Sequence, residues 1–206
     1  MDKYVITISR EFGSGGRGVG KKLAEALGIG CYDKEIIAMT AEKSGLSEGY
    51  VQKREENLSG SFLSNIGFSS MGSFDSVVFY ETPTTDKMFL SQSMVIRELA
   101  AKESCVIIGR CADYVLRDFP NVLHVFIRAN KEDRIARAVA DYELPTKNAE
   151  QFLKKADKSR ANYYRFYTNR NWGDPQYIDV SVNTSAVGID GAVEIVKTAV
   201  AQLINK

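Results

Sequence analysis

Four glycines fall within six positions of the run Arg10-Glu11-Phe12-Gly13-Ser14-Gly15-Gly16-Arg17-Gly18. Glycine takes positive φ without strain and lets backbone amides approach an anion closely. The run follows an apolar stretch, Tyr4 to Ser9, and leads into a helical pattern with Val19, Leu23, Ala24 and Leu27 on one face. A helix starting there aims its free N–H groups and its positive dipole end at the same point. Ser14 adds a hydroxyl. This combination predicts a phosphate site formed by the amides of Gly13, Ser14, Gly15, Gly16 and Arg17.

Which phosphate ligand fits is a question of register. Gly13-x-Gly15-x-x-Gly18 matches the dinucleotide fingerprint in form. That fingerprint places its first glycine at the strand end, whereas Arg10, Glu11 and Phe12 intervene here. The extra length suits a loop wrapped around a phosphate, as in P-loops. A P-loop pattern fits from Gly15 to Lys22, but puts its lysine well inside the helix. It fits better from Arg10, directly after the strand. Gly15 is then the second glycine, Gly16 stands at the lysine and Arg17 at the Ser/Thr. The usual phosphate lysine is missing in that register. Arg10 and Arg17 are the nearest cations, and arginine can clamp phosphate bidentately.

The elements that must hold this loop are legible from periodicity. Tyr4–Ser9, Cys105–Ile108, Val122–Ile127 and Tyr177–Val182 read as strands. Arg17–Leu27, Lys34–Lys43, Ser47 to about Asn57, Phe89–Lys102, Ala112 to about Arg117, Lys131–Tyr142, Asn148 to about Tyr167 and Ile189–Ile204 read as helices. Ser59–Lys87 is rich in Ser, Gly and Thr and reads as a long irregular insert. Continuous apolar strands alternating with helices predict an α/β fold, a parallel sheet covered on both faces. Ligands bind such sheets outside the carboxyl ends of the strands. The loop after Ser9, Gly109-Arg110 and Arg128-Ala129-Asn130 all lie at such ends.

Composition narrows the chemistry. The 206 residues suit one domain, and 44% hydrophobic residues can build a core without disulfides. A net charge of +1 gives no global field for nucleic acid or a membrane surface. The aromatic and basic run Tyr163-Tyr164-Arg165-Phe166-Tyr167 reads as helix packing more readily than as a base-stacking strip. Cys31, Cys105 and Cys111 lack metal or disulfide spacing, which suggests a reduced, cytoplasmic setting. No signal peptide or bilayer-length apolar run is expected. The single histidine, His124, lies inside an apolar strand and reads as structural.

Four runs together resemble the cytidylate kinase-like family. They are Ile6 to Arg17, Tyr32-Asp33-Lys34-Glu35-Ile36-Ile37, Ile108 to Tyr114, and Ala161 to Tyr167 with Trp172-Gly173-Asp174-Pro175. The resemblance spans nearly the whole chain and is weakest over Ser59–Lys87. It implies a P-loop nucleotide kinase fold over 1–206, with a parallel five-stranded sheet, an acceptor-binding insert (34–88) and a lid-like helical region (140–168). It implies transfer of the γ-phosphoryl of ATP, with Mg²⁺ bridging phosphates, to a nucleoside monophosphate such as CMP. Small-molecule nucleotides are thus the expected partners, and a homo-oligomer is allowed. On the matching positions, Asp33, Arg110, Asp157 and Arg160 place the acceptor. Arg134 and Arg137 share a helix face and neutralise the moving phosphoryl with Arg17, while Arg10 and Arg17 compensate the donor phosphates.

The departures from the family are specific. Gly16 replaces the P-loop lysine, Cys111 an acid after Gly-Arg, Lys34 a serine, and Met39 an arginine further along that helix. Phosphate binding is therefore a firmer expectation than cytosine recognition. A nucleotide-binding regulatory protein with weak or lost catalysis is the alternative. An NAD(P)-dependent enzyme is a third reading, although the chain after Gly109 suggests no second dinucleotide-binding half.

Overall fold

The computed structural model describes residues 3–59, 83–142 and 145–204. Its centre is one sheet of five strands: β1 (Val5–Arg10), β2 (Gly30–Tyr32), β3 (Cys105–Ile108), β4 (Val122–Arg128) and β5 (Val180–Asn183). The spatial order is β2-β3-β1-β4-β5, and all four pairings are parallel. β1 therefore lies in the middle, paired on both sides. Its carboxyl end opens into the glycine loop, with the ends of β3 and β4 beside it.

Alternation along β1 sends side chains to two cores. Ile6 and Ile8 are fully buried with Val19 and Leu23 of α1 (Gly16–Leu27) and Val193 and Val196 of α8 (Thr184–Ile204). Val5 faces the other way. It packs with Cys105 and Ile107, with Ile36 of α2 (Glu35–Ser44), with Ile96 of α4 (Pro83–Lys102) and with Val115 of α5 (Ala112–Val115). Each such buried aliphatic contributes roughly 1.5–3 kcal/mol, so the middle strand anchors both helical layers. The remaining helices are α3 (Glu48–Ser59), α6 (Lys131–Tyr142) and α7 (Thr146–Thr168). No helix among the described residues is long and apolar enough to cross a membrane.

Several boundaries differ from the sequence reading. The strand β2 escaped it, being only three half-buried residues at the sheet edge. Tyr177–Val182 is not one strand. Pro175–Tyr177 forms a 3-10 turn capped by Asp174, whose Oδ1 accepts from the Gln176 N–H at 3.0 Å, and β5 begins at Val180. A short helical turn starts at Thr184 and breaks at Gly188 (φ 71°, ψ 178°), and the long last helix follows from Ile189 as read. The helix before β3 begins at Pro83, so 83–87 belong to it, and α5 ends at Val115. The rest of the expected irregular insert, 60–82, lies outside the described residues. The stops at Gly28 and Gly45 are as read, each in the left-handed region (φ 65° and 67°), and Ser47 Oγ accepts from the Tyr50 N–H at 3.3 Å.

Beneath the sheet's second face lies a buried polar cluster. The ring of His124 is satisfied, with Nδ1 2.9 Å from Thr7 Oγ1. Asp113 Oδ2 accepts from the Tyr164 hydroxyl at 2.6 Å, while its Oδ1 has no hydrogen-bond partner among the described residues. Burial raises the Asp113 carboxyl, against the downward pull of that hydrogen bond and of His124. An acid raised in the folded state holds its proton more tightly there than when unfolded. Its contribution to stability therefore falls as pH rises from the unfolded value of 3.8 through the folded one. Asp113→Asn should lose that slope, gaining stability relative to wild type as pH rises from about 4 to 7. Urea midpoints across that range measure it; a wild-type to mutant difference independent of pH would contradict it.

Candidate functional site

The loop between β1 and α1 has its carbonyls bonded and most of its glycine amides without a partner among the described residues. Five consecutive carbonyls are occupied. The carbonyl of Arg10 accepts from Arg160 Nη1 (3.0 Å), and that of Glu11 from the Ser14 hydroxyl and N–H (2.8 and 3.3 Å). The carbonyl of Phe12 accepts from Arg134 Nε (2.7 Å), that of Gly13 from Arg137 Nη1 (3.2 Å) and that of Ser14 from the Thr184 hydroxyl (2.7 Å). The amides of Gly13, Gly15, Gly16, Arg17 and Gly18 donate to none of the described residues. Gly13 and Gly15 have φ of 73° and 80°, the turn that points successive N–H groups into one concavity. A Cβ at Gly13 would sit 2.5 Å from the Arg134 carbonyl oxygen, so that position needs glycine on steric grounds too.

The arginines that hold the loop are themselves paired. Arg134 lies between Glu11 (3.3 Å) and Asp157, and Arg160 is 3.7 Å from Asp157. The Asp157 carboxylate also accepts from the Phe12 N–H at 2.8 Å, and Glu11 Oε2 from the Ala129 N–H at 3.1 Å. Arg137 also donates to the Thr184 hydroxyl at 3.1 Å. The helices α6 and α7 thereby clamp the loop from outside. Asp157 and Arg160 are brought together, as are Arg134 and Arg137, and all four contact the loop or its own side chains.

A second cluster forms on the other side of the loop, at the carboxyl ends of β2 and β3. Asp33 is buried at 6% exposure and is shared by three guanidinium groups. Arg17 Nε is 2.6 Å away, Arg110 Nη1 3.4 Å and Arg10 Nη2 4.0 Å. Arg110 also donates to the Ile108 carbonyl at 3.2 Å, and it follows Gly109, with both residues at positive φ. Burial by itself would raise the Asp33 carboxyl; Arg10, Arg17 and Arg110 outweigh it and hold it below the ordinary carboxylate value. Arg10 shows the converse. Burial, then Arg160, and then Arg110 and Arg17 push its guanidinium down to about 9, with Asp33 opposing. Arg10, Arg17 and Arg110 thus crowd one carboxylate, an environment that favours an entering anion.

Comparison with known proteins fits this geometry. The sequence profile of the cytidylate kinase-like family matches residues 5–186. The chain belongs to that family. No curated protein matches the chain. Among solved structures, an uncharacterized protein from Eubacterium ventriosum ATCC 27560 is 30% identical with a TM-score of 0.73, covering 98% of this chain and 99% of that one. A gluconokinase from Sinorhizobium meliloti 1021 is 15% identical with a TM-score of 0.56, covering 98% and 95%. A shikimate kinase from Acinetobacter baumannii in complex with shikimate is 17% identical with a TM-score of 0.54, covering 97% and 94%. The last two establish that this cytidylate kinase-like chain has the P-loop kinase fold, with its five-stranded parallel sheet.

Sequence reasoning placed Gly109 at a ligand-binding strand end but gave no role to Glu11 or Thr184. Thr184 had a signal, since it follows the carboxyl end of a strand. Glu11 had none, because its two side-chain partners come from the loop after β4 and from α6.

Asp33→Asn leaves three guanidinium groups facing one another without their shared carboxylate. It should destabilise the protein by about 2–4 kcal/mol near neutral pH. The wild-type contribution is complete above the unfolded value of 3.8 and is lost as pH falls through the depressed folded value. Inorganic phosphate at about 10 mM should restore part of the loss by binding where the carboxylate charge was. Urea midpoints with and without phosphate test both statements.

Proposed function

We propose that this cytidylate kinase-like protein is an ATP-dependent phosphotransferase acting on a nucleoside monophosphate through a P-loop without the usual lysine. The observation that carries the proposal is the set of five amides at the head of α1 that donate to none of the described residues, beside Arg10 and Arg17 of the same segment, which join Arg110 around Asp33. Polyphosphate fits such a set because the loop carbonyls, which would repel it, are already bonded to other donors.

The reaction joins an acceptor oxygen to the γ-phosphorus and breaks the bond from that phosphorus to the β–γ bridging oxygen, leaving ADP. A monophosphate oxygen is already anionic, so no proton has to be removed first. Protein catalysis is then positioning and charge neutralisation. In this reading the amides of Gly13 to Arg17 hold the β-phosphate, and Arg110 grips the acceptor phosphate with Asp33 orienting it. Asp157, Arg160, Arg134 and Arg137, which the resemblance assigns to the acceptor and the moving phosphoryl, act in this reading by holding the backbone of the loop. Mg²⁺ bound to the phosphates supplies further charge neutralisation. No group of metal-ligating side chains exists among the described residues, and Arg17 stands where a P-loop hydroxyl would reach the ion. The donor phosphates and water would therefore supply most of its ligands.

The substitutions at 16 and 17 favour a second reading, a nucleotide-binding regulatory protein without turnover. A coupled assay with ATP, Mg²⁺ and a panel of nucleoside monophosphates separates the two; shikimate and gluconate belong in the panel because the similar folds include a shikimate kinase and a gluconokinase. Turnover with at least one acceptor is expected, falling by about 100-fold or more in Arg110→Ala. Saturable ADP binding with no turnover across the panel would favour the regulatory reading. Turnover indifferent to Arg110→Ala would remove the assigned acceptor site.

A further inference from the structure

In the register that starts at Arg10, two positions depart from the P-loop pattern together. An arginine occupies the first glycine position and a glycine occupies the lysine position. The structure shows these as one event. A Cβ placed on Gly16 would lie 2.6 Å from Arg10 Cβ, 3.0 Å from Arg10 Cγ and 3.3 Å from Ile127 Cβ. The atoms in the way are the base of the arginine stem and a strand side chain, not a mobile tip. Any side chain at position 16, lysine included, collides with the stem.

The stem cannot step aside. Arg10 is the last residue of β1 and is in register with Ile127 of β4. Its carbonyl is held by Arg160 at 3.0 Å. Its side chain must therefore leave the strand across the first turn of α1. It continues over Gly109, where an added Cβ would overlap Arg10 Nη1, and its Nη2 comes within 4.0 Å of Asp33. Gly16 is the glycine needed to let the arginine through; at Gly109 only the mobile tip of Arg10 is in the way, and a φ of 76° calls for glycine there independently. Its side chain is 16% exposed, whereas Arg17, the other candidate cation, is 38% exposed and already has Nε on Asp33 at 2.6 Å.

We propose that Arg10 supplies the cation of the missing P-loop lysine, entering from the strand end instead of the helix, and that Gly16 is the clearance this exchange requires. The ligand class is a polyphosphate, whose neighbouring phosphate oxygens a planar guanidinium contacts two at a time. The inference rests on the phosphotransferase reading for the identity of the loop as a donor site, but it has its own test.

The test is calorimetric titration of the full chain with ADP in Mg²⁺ and, separately, with inorganic tripolyphosphate. Arg10→Gln keeps the stem and removes the charge; affinity should fall about 10-fold or more, while Arg10→Lys stays nearer wild type. Gly16→Lys alone should abolish binding by collision. Arg10→Gly/Gly16→Lys restores the common arrangement and should bind within about 10-fold of wild type, in clear excess over Gly16→Lys. Thermal unfolding of each variant reports whether it folds. If Gly16→Lys does not fold, recovery of folding in the double variant is the same evidence of reciprocity. Arg10→Gln binding as tightly as wild type, or a double variant no better than Gly16→Lys in both folding and binding, overturns the proposal while leaving the donor site intact. Wild type that binds neither probe overturns the phosphotransferase and regulatory readings, and the Arg10 assignment with them.

Discussion

The site depends on the fastening of the loop carbonyls. A backbone turn exposes donors and acceptors alike, and an anion is attracted by one and repelled by the other. Here Arg160, Ser14, Arg134, Arg137 and Thr184 take the five carbonyls from Arg10 to Ser14 in succession. What remains is a row of N–H groups at the head of a helix. The donors come from α6, α7, the start of α8 and the loop itself, so most of the molecule is committed to the shape of this one turn. The fully buried Ile6 and Ile8 fix the other end by locking β1 into the middle of the sheet.

Electrostatics divides the surroundings into two kinds of cluster. On the α6–α7 side, Arg134 and Arg160 are interleaved with Glu11 and Asp157, and the carboxylates also take backbone N–H groups. Such a set orders the loop, since each charge already has an opposite neighbour and a hydrogen bond. On the β2–β3 side, Arg10, Arg17 and Arg110 share the carboxylate of Asp33, and the shift of Arg10 to about 9 reflects burial and crowding by its own kind. That is where anionic charge is most favoured, between the head of α1 and the Gly109-Arg110 corner. A phosphoryl group in transit needs such a place.

Much of this was legible in the chain. The strands at Cys105–Ile108 and Val122–Arg128 announce themselves because both faces are buried and the runs are continuously apolar. The helix stops at Gly28 and Gly45 are dictated by left-handed backbone that glycine tolerates. The edge strand Gly30–Tyr32 left no pattern, because a three-residue, half-buried strand has neither alternation nor an apolar run. Pro175 after Asp174 makes a capped turn, and that local chemistry overrode the strand-like composition of Tyr177–Val182.

Within the site, the sequence by itself determined the glycine-rich turn at Gly13–Gly18 between β1 and α1, because glycine content and position between strand and helix are local properties. It also put Arg10 and Arg110 at strand ends, where a parallel sheet collects its functional groups, and Arg17 at the head of a helix; Asp33 came only from the family resemblance. Tertiary structure alone decided what those groups touch. That Asp33 would draw three arginines together and that Glu11 and Asp157 would bind the clamp are contacts across 16 to 145 residues of chain, and that the Arg10 stem would lie against Gly16, six positions on, depends on how β1 meets α1. Spacing along one helix or strand carries no information about such contacts, because they are set by how β1, β2, β3, β4 and α7 come together.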